Sequence, residues 1–393
     1  MQYRRSGRAP GNKYWEEKVM RDYIGTWTKL LLTGTTVLAL AAPAIGQEAF
    51  DLNALIEAAK AEEPITVYDT TGKIVEMADA FTAKYGVTAT GTKVKAAAQL
   101  EMMIREAQAN NVQGDVFVVH DAPAAIAQII PQGFAASWVP PDLADKINPA
   151  AQDPLQVITS ASVWTYNTEL YDACPITNIW QLTEPEWRGK VAMQDPLGKS
   201  SYTDWFNQMA LHGDEGMAAA YKAQYGKDLD TSTETATAAW VKALAANAPL
   251  LTDADQGASD AVGAPGQKEG FMGLLSSAKY RDNTDSGYKL GLCSGMAPTV
   301  GWLYPGIGLI ATGTTSPNAA KLFVHYLMTE EGIAPQSADG KMSTNSDVAL
   351  PADEPSGVGA ELANLLPYNT ATGLDDWDTR QDWQDLWRLN YSK

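Results

Sequence analysis

The chain contains few of the residues on which most metal and enzyme sites depend, with two cysteines and three histidines among 393 residues. It has no Cys-x-x-Cys pair and no His-Glu-x-x-His motif, so nothing supports a structural zinc site or zinc-protease chemistry. A Gly-x-Ser-x-Gly turn is also missing, and neither cysteine has an evident activating neighbour. We therefore expect no metal and no cofactor. An enzyme whose residues form no recognisable motif remains an alternative.

Positive charge is also scarce, because 29 Lys and Arg residues stand against 47 Asp and Glu residues, a formal net charge of −18. Binding to nucleic acid needs a cationic face for the phosphates, so this balance argues against a nucleic-acid partner. Hydrophobic residues make up 45% of the chain, which is enough for one large or two medium domains with a real core. A small solute or a protein is the expected partner.

The first 46 residues have the pattern of a secretory signal peptide. Leu30–Ala42 is an uncharged apolar stretch preceded by basic residues, and small residues allow cleavage between Gly46 and Gln47. A membrane anchor is the alternative, but the stretch is shorter than the roughly 20 apolar residues that a span needs. Met20 is a second possible start. We expect export to the periplasm.

Removal of residues 1–46 makes the chain still more acidic. This segment contains seven basic and three acidic side chains, which leaves 22 basic and 44 acidic residues and a net charge of −22. Such a charge favours a soluble monomer. In an oxidising compartment Cys174 and Cys293 are the only possible intrachain disulfide, and two free buried thiols are the alternative.

After the leader, strand and helix patterns alternate. The predicted order is strand, helix, strand, helix, strand, over residues 65–68, 74–85, 87–94, 97–109 and 115–119. This order predicts right-handed crossovers and a parallel sheet with both faces covered. Ligands bind beyond the carboxyl ends of such strands, so the loops Asp69–Lys73, Lys93–Ala97 and His120–Ala122 are candidate ligand loops.

A second α/β unit follows without a flexible linker. Gln156–Asn167 is a long extended run, Tyr304–Ala311 is another strand, and Asp253–Asp260 is predicted to be an acidic loop. Asp375–Leu389 contains three tryptophans and is predicted to be a docked C-terminal helix. The extended runs near residues 155–167 and 296–310 are natural crossing points, which predicts a hinged clamp with its ligand between two lobes.

Four segments carry a family resemblance: ITVYDTTG, SVWTYNTELY, TEPEWRGKVAMQDPLGKSSYTDW and SPNAAKLFVHYLMTEEG. They resemble the ferric-ion and organophosphate cluster of type II periplasmic solute-binding proteins of ABC transporters. The resemblance implies an α/β fold of two lobes, each a mixed sheet flanked by helices and joined by hinge strands, and a membrane permease as partner. The implied lobes are 47–155 with 298–345, and 156–297 with 346–393 including the docking helices.

The resemblance leaves the ligand open between two classes. Ferric members use two consecutive tyrosines, but no Tyr-Tyr pair occurs here and Tyr280 stands alone in the comparable region. Organophosphate members bind sugar phosphates or phosphonates, and we expect a ligand of this class. Ferric ion remains the alternative, and the acidic composition is also compatible with a polyamine, an amino acid or a thiamine-like cation.

Two loops, Thr70–Lys73 and Gly198–Ser201, have the composition of an anion site. Each combines small hydroxyl residues and a lysine before a helix. Simple helix capping is the alternative for each. Asp195 and Asp255 are expected to hold a hydroxyl- or amine-bearing end of the ligand, and Trp302 and Tyr304 to stack on a ring or to pack in the core. The complete candidate ligand set is Thr70, Thr71, Gly72, Lys73, Lys95, Asp121, Asp195, Lys199, Ser200, Ser201, Asp255, Gln256, Ser276, Trp302 and Tyr304.

Overall fold

The computed structural model of the chain describes residues 50–392. The predicted signal peptide, its cleavage point and the alternative start at Met20 lie outside these residues. Within them no helix is both long and apolar enough to cross a membrane.

The described part of the chain is built from alternating strands and helices. Its strands are β1 (Ile65–Asp69), β2 (Ala89–Lys93), β3 (Val116–Val119), β4 (Ala135–Ala136), β5 (Gln156–Asn167), β6 (Val191–Gln194), β7 (Leu250–Thr252), β8 (Met272–Ser276), β9 (Leu290–Leu292), β10 (Gly301–Ala311), β11 (Met342–Ser343) and β12 (Leu365–Leu366). Its helices are α1 (Leu52–Lys60), α2 (Lys73–Tyr85), α3 (Ala96–Gln108), α4 (Ala122–Ala124), α5 (Ser200–His212), α6 (Asp214–Tyr225), α7 (Ala236–Ala246), α8 (Asp255–Gly263), α9 (Asp282–Asp285), α10 (Pro317–Leu327), α11 (Glu330–Ser337) and α12 (Gly373–Asn390).

The main strands form one path in the order β2-β1-β3-β10-β5-β8-β6-β7. At one end β2, β1 and β3 are parallel, and at the other end β7, β6 and β8 are parallel. Between them β10 and β5 pair antiparallel, from Gly301 opposite Val163 to Ile307 opposite Gln156. We call the part around β1–β3 the first half and the part around β6–β8 the second half. The two strands that join them are those predicted as crossing points.

Local sequence patterns explain the individual elements. In α2 the side chains of Ile74, Met77 and Phe81 recur at helical spacing and are buried on one face, as predicted. The helix ends at Gly86, whose φ of 70° is the left-handed conformation that glycine adopts without strain. The parallel strand β3 has four buried residues in succession, because helices cover both of its faces.

Each half has its own hydrophobic core. Phe81, Phe323 and Tyr326 pack together in the first half, while Trp164, Trp205 and Trp240 do so in the second. The predicted C-terminal helix is α12, whose Trp383 and Trp387 pack against Phe206 of α5. The second half therefore incorporates α12 as part of its core.

One predicted element is wrong. The segment Asp253–Asp260 was expected to be an acidic loop, but most of it lies in α8. The helix forms because Ala258 and Val262 bury their side chains against the neighbouring strands, while Asp255 lies in the first turn, where the helix dipole favours negative charge.

Cys174 and Cys293 form a disulfide with a Cα–Cα distance of 5.1 Å. The bond joins the segment after β5 to the segment after β9, and both belong to the second half. It therefore stiffens this half without linking it to the first.

Candidate functional site

The carboxyl ends of the parallel strands in the two halves face each other. β1 ends at Asp69 and β3 is followed by His120, while β8 of the second half ends at Ser276. Contacts between the halves show that these edges meet, since Ser200 Oγ donates a hydrogen bond to Asp121 Oδ2 at 3.3 Å. This is the edge at which α/β sheets bind their ligands.

Charged and hydroxyl-bearing side chains from both halves converge at this edge. We call this group the cleft cluster, and its members are Asp69, Lys199, Asp255, Ser276, Tyr304 and Lys341. Asp255, Tyr304 and Lys341 each keep part of their surface accessible to solvent although they lie deep in the protein, and Lys199 is half-buried beside them. Deep side chains that water still reaches define a cleft rather than a core.

Asp69 is the most constrained member of the cluster, with a side chain that is fully buried. Its Oδ1 lies 3.1 Å from His120 Nε2 and accepts the Thr70 N–H at 2.5 Å, while its Oδ2 accepts from Gln336 Nε2 at 2.9 Å. Burial by itself would raise the pKa of Asp69, but His120, Lys341 and Gln336 together lower it to about 2. Asp69 is therefore a fixed negative charge in the floor of the cleft.

Lys341 supplies a positive charge on the side of the first half. Its Nζ donates to Gln336 Oε1 at 2.8 Å, which connects it through Gln336 to Asp69. Burial lowers the pKa of Lys341 and the nearby charges of Arg281 and Lys199 add to this, whereas Asp69 and Asp339 oppose it. An anion bound here would relieve the repulsion between Lys341 and Lys199.

Asp255 and Tyr304 form the opposite wall. Asp255 Oδ2 accepts the backbone N–H of Ser276 at 3.1 Å. Burial raises the pKa of Asp255, while the charges of Lys199 and Lys279 lower it. Burial also raises the pKa of Tyr304, as does Asp255, so its hydroxyl stays protonated and can donate to a ligand.

Two polar atoms near this cluster have no hydrogen-bond partner among residues 50–392. They are Ser160 Oγ on β5 and His120 Nδ1, and both are buried. Ser160 lies opposite Tyr304 in the strand register, and the His120 and Tyr304 rings are 6.2 Å apart. Buried polar atoms normally have partners, and Ser160 Oγ also lies close enough to the Tyr304 hydroxyl to lower its pKa.

The structure brings part of the predicted ligand set together. Lys199, Asp255, Ser276 and Tyr304 belong to the cleft cluster. Trp302 lies behind Tyr304 with ring centroids 5.2 Å apart, and it stacks on Trp205 in the core of the second half. Trp302 thus supports the wall of the cleft from inside.

Other predicted residues lie at the edge of the cleft or make different contacts. Lys73 Nζ pairs with Glu76 at 3.2 Å, and Thr71 Oγ1 accepts the backbone N–H of Lys73. Asp195 Oδ1 accepts the Leu197 N–H in its own turn. The remaining members that take no part in the cleft cluster are Thr70 and Gly72 in the loop before α2, Lys95 before α3, Ser201 within α5, and Gln256, which bonds to Asp260 and Lys279.

Asp121 and Ser200 meet each other across the two halves, and Asp121 is also held by Arg380. Sequence reasoning placed Asp69 at the start of a candidate ligand loop but not in the ligand set, and it missed Lys341 and Gln336. Asp69 had a usable signal, since it ends β1 at the edge where ligands bind. Lys341 and Gln336 had none, because no motif or spacing connects them to β1.

Tyr280 does not take the place of a tyrosine pair in the cleft. It is buried, its hydroxyl lies 2.8 Å from Thr165 Oγ1, and burial raises its pKa. Among residues 50–392 no three His, Cys, Asp or Glu side chains are grouped to hold a metal ion.

A cavity of about 990 Å³ lies on the opposite face of β5 and β10. Thr159 and Leu303 point into it, whereas Ser160 and Tyr304, the next residues along each strand, point to the cleft. Its lining is mainly apolar and includes His212, Met342, Leu366 and Tyr368. We take the cleft as the candidate site, because the charged groups of both halves converge there.

Two halves joined by a pair of long strands, with a polar cleft between them, are typical of proteins that bind a small solute. Residues 65–340 match the family described as bacterial extracellular solute-binding protein, and the chain belongs to this family. The predicted two-lobe type II fold is confirmed.

Solved structures show the same fold at low sequence identity. Iron-bound HitA from Pseudomonas aeruginosa has 17% identity and a TM-score of 0.62, covering 83% of this chain and 99% of its own. AfuA from Actinobacillus pleuropneumoniae with bound fructose-6-phosphate has 20% identity and a TM-score of 0.58, covering 84% and 98%. AgtB from A. tumefaciens R10 in complex with agropinic acid has 14% identity and a TM-score of 0.55, covering 83% and 99%. No curated protein matches this chain in sequence.

Proposed function

We propose that this protein captures a small phosphorylated organic solute, such as a sugar phosphate or a phosphonate, in the cleft and delivers it to the permease of an ABC importer. The convergence of Lys199 and Lys341 from opposite halves on one deep cluster carries the proposal. The charge of Lys199 contributes to lowering the pKa of Lys341, and a phosphate dianion between the two lysines would turn this repulsion into attraction.

The first turn of α5 adds donors for the phosphate. The helix begins at Ser200 and has no side-chain cap, so its first N–H groups are not used by a capping oxygen. The N-terminus of a helix attracts anions, and Lys199 immediately precedes it. The phosphate would therefore lie between this helix start and Lys341.

The carboxylate of Asp255 suits the other end of such a solute, while Asp69, which is fully buried, contributes only the field of its charge. Ionised carboxylates only accept hydrogen bonds, so they bind hydroxyl or ammonium groups and repel a second phosphate. The Tyr304 hydroxyl and Ser160 Oγ supply further polar contacts on the same face of the hinge strands. This arrangement favours a solute with a phosphate at one end and hydroxyl or amino groups at the other.

Delivery follows from closure of the two halves. We place the lobes at 47–155 with 298–345 and at 156–297 with 346–393, so that β5 and β10 are the hinge strands. A solute that contacts both lobes binds the closed form more tightly and shifts the population towards it. In this proposal residues 1–46 are removed on export and the mature chain works as a periplasmic monomer that the permease recognises when closed. AfuA, whose structure contains fructose-6-phosphate, has the same fold, which supports a solute of this class.

The test is calorimetric titration of residues 47–393 after denaturation and refolding to remove co-purified ligand. The panel contains fructose 6-phosphate, 2-aminoethylphosphonate, ferric citrate and putrescine. We expect binding of a phosphorylated compound, weakened about tenfold or more by Lys199→Met or Lys341→Met because each removes a charge-assisted contact. Lys73→Met is the matched control, since Lys73 is paired with Glu76 outside the cluster, and it should bind as the unmodified chain does.

Three outcomes would contradict the proposal. Unchanged affinity in both cleft variants would exclude the phosphate site. Binding of ferric ion with a visible tyrosinate colour would establish the iron alternative. Consumption of the ligand during titration would support an enzyme instead of a transport component.

A further inference from the structure

A single guanidinium connects the two halves at one side of the cleft. Arg380 Nη2 donates to Asp121 Oδ1 at 2.9 Å, and to Asp204 Oδ1 and Oδ2 at 3.0 Å each. Arg380 Nε donates to Asp204 Oδ1 at 3.2 Å, so the contact with Asp204 is multidentate. Arg380 is thus shared between two carboxylates.

The two carboxylates belong to different halves. Asp121 follows β3 of the first half, whereas Asp204 lies on α5 of the second. Arg380 is carried by α12, which packs into the core of the second half through Trp383 and Trp387 and touches the first half through Trp377. Separation of the halves would therefore remove Asp121 from Arg380 and leave the contact with Asp204 in place.

These three side chains are largely shielded from water. The exposed fractions are 15% for Arg380, 17% for Asp121 and 5% for Asp204. Ion pairs in such surroundings are weakly screened by salt. Arg281 and Asp339 also pair across the halves at 2.6 Å, but the Arg281 side chain is 42% exposed, so that pair is screened more.

Arg380 also suppresses a repulsion. Burial raises the pKa of Asp204, Arg380 lowers it, and the charges of Asp121 and Asp376 raise it again. Asp376 is buried nearby and accepts hydrogen bonds from Asn207 and Gln208. Without Arg380, Asp121 of the first half would face two carboxylates of the second half.

We propose that Arg380 is a closure latch, which remains bound to Asp204 and engages Asp121 only when the two halves close. The latch sets the balance between open and closed forms independently of the solute, and therefore tunes the affinity for any solute that needs the closed form. Ser200, which donates to Asp121 from the second half, forms a neutral second contact in the same closed arrangement.

The test measures the open and closed populations without any solute. Cysteines introduced by Glu57→Cys in α1 and Lys222→Cys in α6 are spin-labelled, since both side chains are mostly exposed and lie in different halves. Distance distributions are recorded by double electron–electron resonance in the refolded chain with the Cys174–Cys293 disulfide intact. We expect a short-distance, closed population in the unmodified background.

Arg380→Met should reduce the ratio of closed to open forms by roughly tenfold or more, because it removes the charge-assisted hydrogen bond to Asp121 that joins the two halves. Arg380→Lys should retain part of the closed population, since it keeps the charge without the planar fork. Arg388→Met is the matched control: Arg388 lies on the same helix and pairs only with Asp385, so the distribution should not change. Asp121→Asn removes only the partner of Arg380 in the first half and should also reduce the closed population. This variant keeps the test valid even if Arg380→Met fails to fold.

The proposal would be overturned if the Arg380→Met and Asp121→Asn chains gave the same spin-label distance distribution as the Arg388→Met control. An unmodified chain without any short-distance population would also overturn it. Because no solute is present, neither result depends on whether the protein binds phosphorylated compounds.

Discussion

Asp69→Asn should destabilise the protein in a way that depends on pH. The folded state lowers the pKa of Asp69 from its ordinary 3.8 to about 2. A carboxyl group whose pKa is lowered by folding contributes stability above its unfolded pKa, and this stability is lost as the pH falls through the folded pKa. The contribution is therefore complete at pH 6–7 and decreases between about pH 4 and pH 2.

The size of the effect follows from the two pKa values. Their difference corresponds to roughly 2.5 kcal/mol of unfolding free energy at neutral pH, and to about half of that at pH 3. The asparagine side chain cannot ionise and loses this contribution at every pH. It has nearly the same shape, so little cavity cost is added, but its single carbonyl oxygen cannot accept from both Gln336 and the Thr70 N–H.

The assay is urea denaturation of residues 47–393 at pH 6, 4 and 3, followed by tryptophan fluorescence. The free energy of unfolding of Asp69→Asn should be about 2 to 3 kcal/mol lower than that of the unmodified chain at pH 6. This difference should become smaller towards pH 3. Glu76→Gln, which breaks an exposed pair with Lys73, should cost less than about 0.5 kcal/mol. A gap that stays constant or widens as the pH falls would refute the role assigned to the Asp69 charge.

Two further predictions concern the framework that carries the cleft. Joint replacement Cys174→Ser and Cys293→Ser should lower the unfolding free energy by about 4–5 kcal/mol, because the bond closes a loop of 119 residues; an unchanged urea midpoint would contradict this. Gly301→Ala should lower the free energy of unfolding by about 1–3 kcal/mol or more. The Cβ of the alanine would lie 2.0 Å from the carbonyl oxygen of Ser162 on the paired hinge strand. Gly72→Ala is its control, with no atom within 4 Å of the added Cβ, and equal thermal midpoints for the two alanine variants would show that the strands adjust freely.

Most of the secondary structure could be predicted because each element carries its own local signal. The predicted run Gln156–Asn167 coincides with β5, and the predicted helix 74–85 differs from α2 by one residue. α8 was missed because its sequence, DQGASDAVG, is short and polar, and its helix depends on burial against strands that are distant in sequence. Element boundaries and short helices depend on tertiary packing as well as on propensity.

The candidate site could be predicted only where a strand end or a helix start pointed to it. Lys199 was proposed in this way, because it precedes a helix start, whereas Asp255 was proposed as a carboxylate of an expected loop that proved to be the start of α8. Lys73 satisfied the same pattern, yet its ammonium group pairs with Glu76. The pattern places the backbone of a loop but does not determine where a long flexible side chain points.

The sequence by itself determined the class of the molecule: its order of strands and helices, the two crossing strands, and the family resemblance that comparison confirmed. Only the tertiary structure decided which charges meet. Asp69 and Gln336 are 267 residues apart in the chain and share a hydrogen bond, and Asp121 and Arg380, 259 apart, share an ion pair. Strand and helix formation depends on neighbours a few residues away, whereas the strength of a buried charge depends on every group within a few ångströms, and the fold brings those groups from distant parts of the chain.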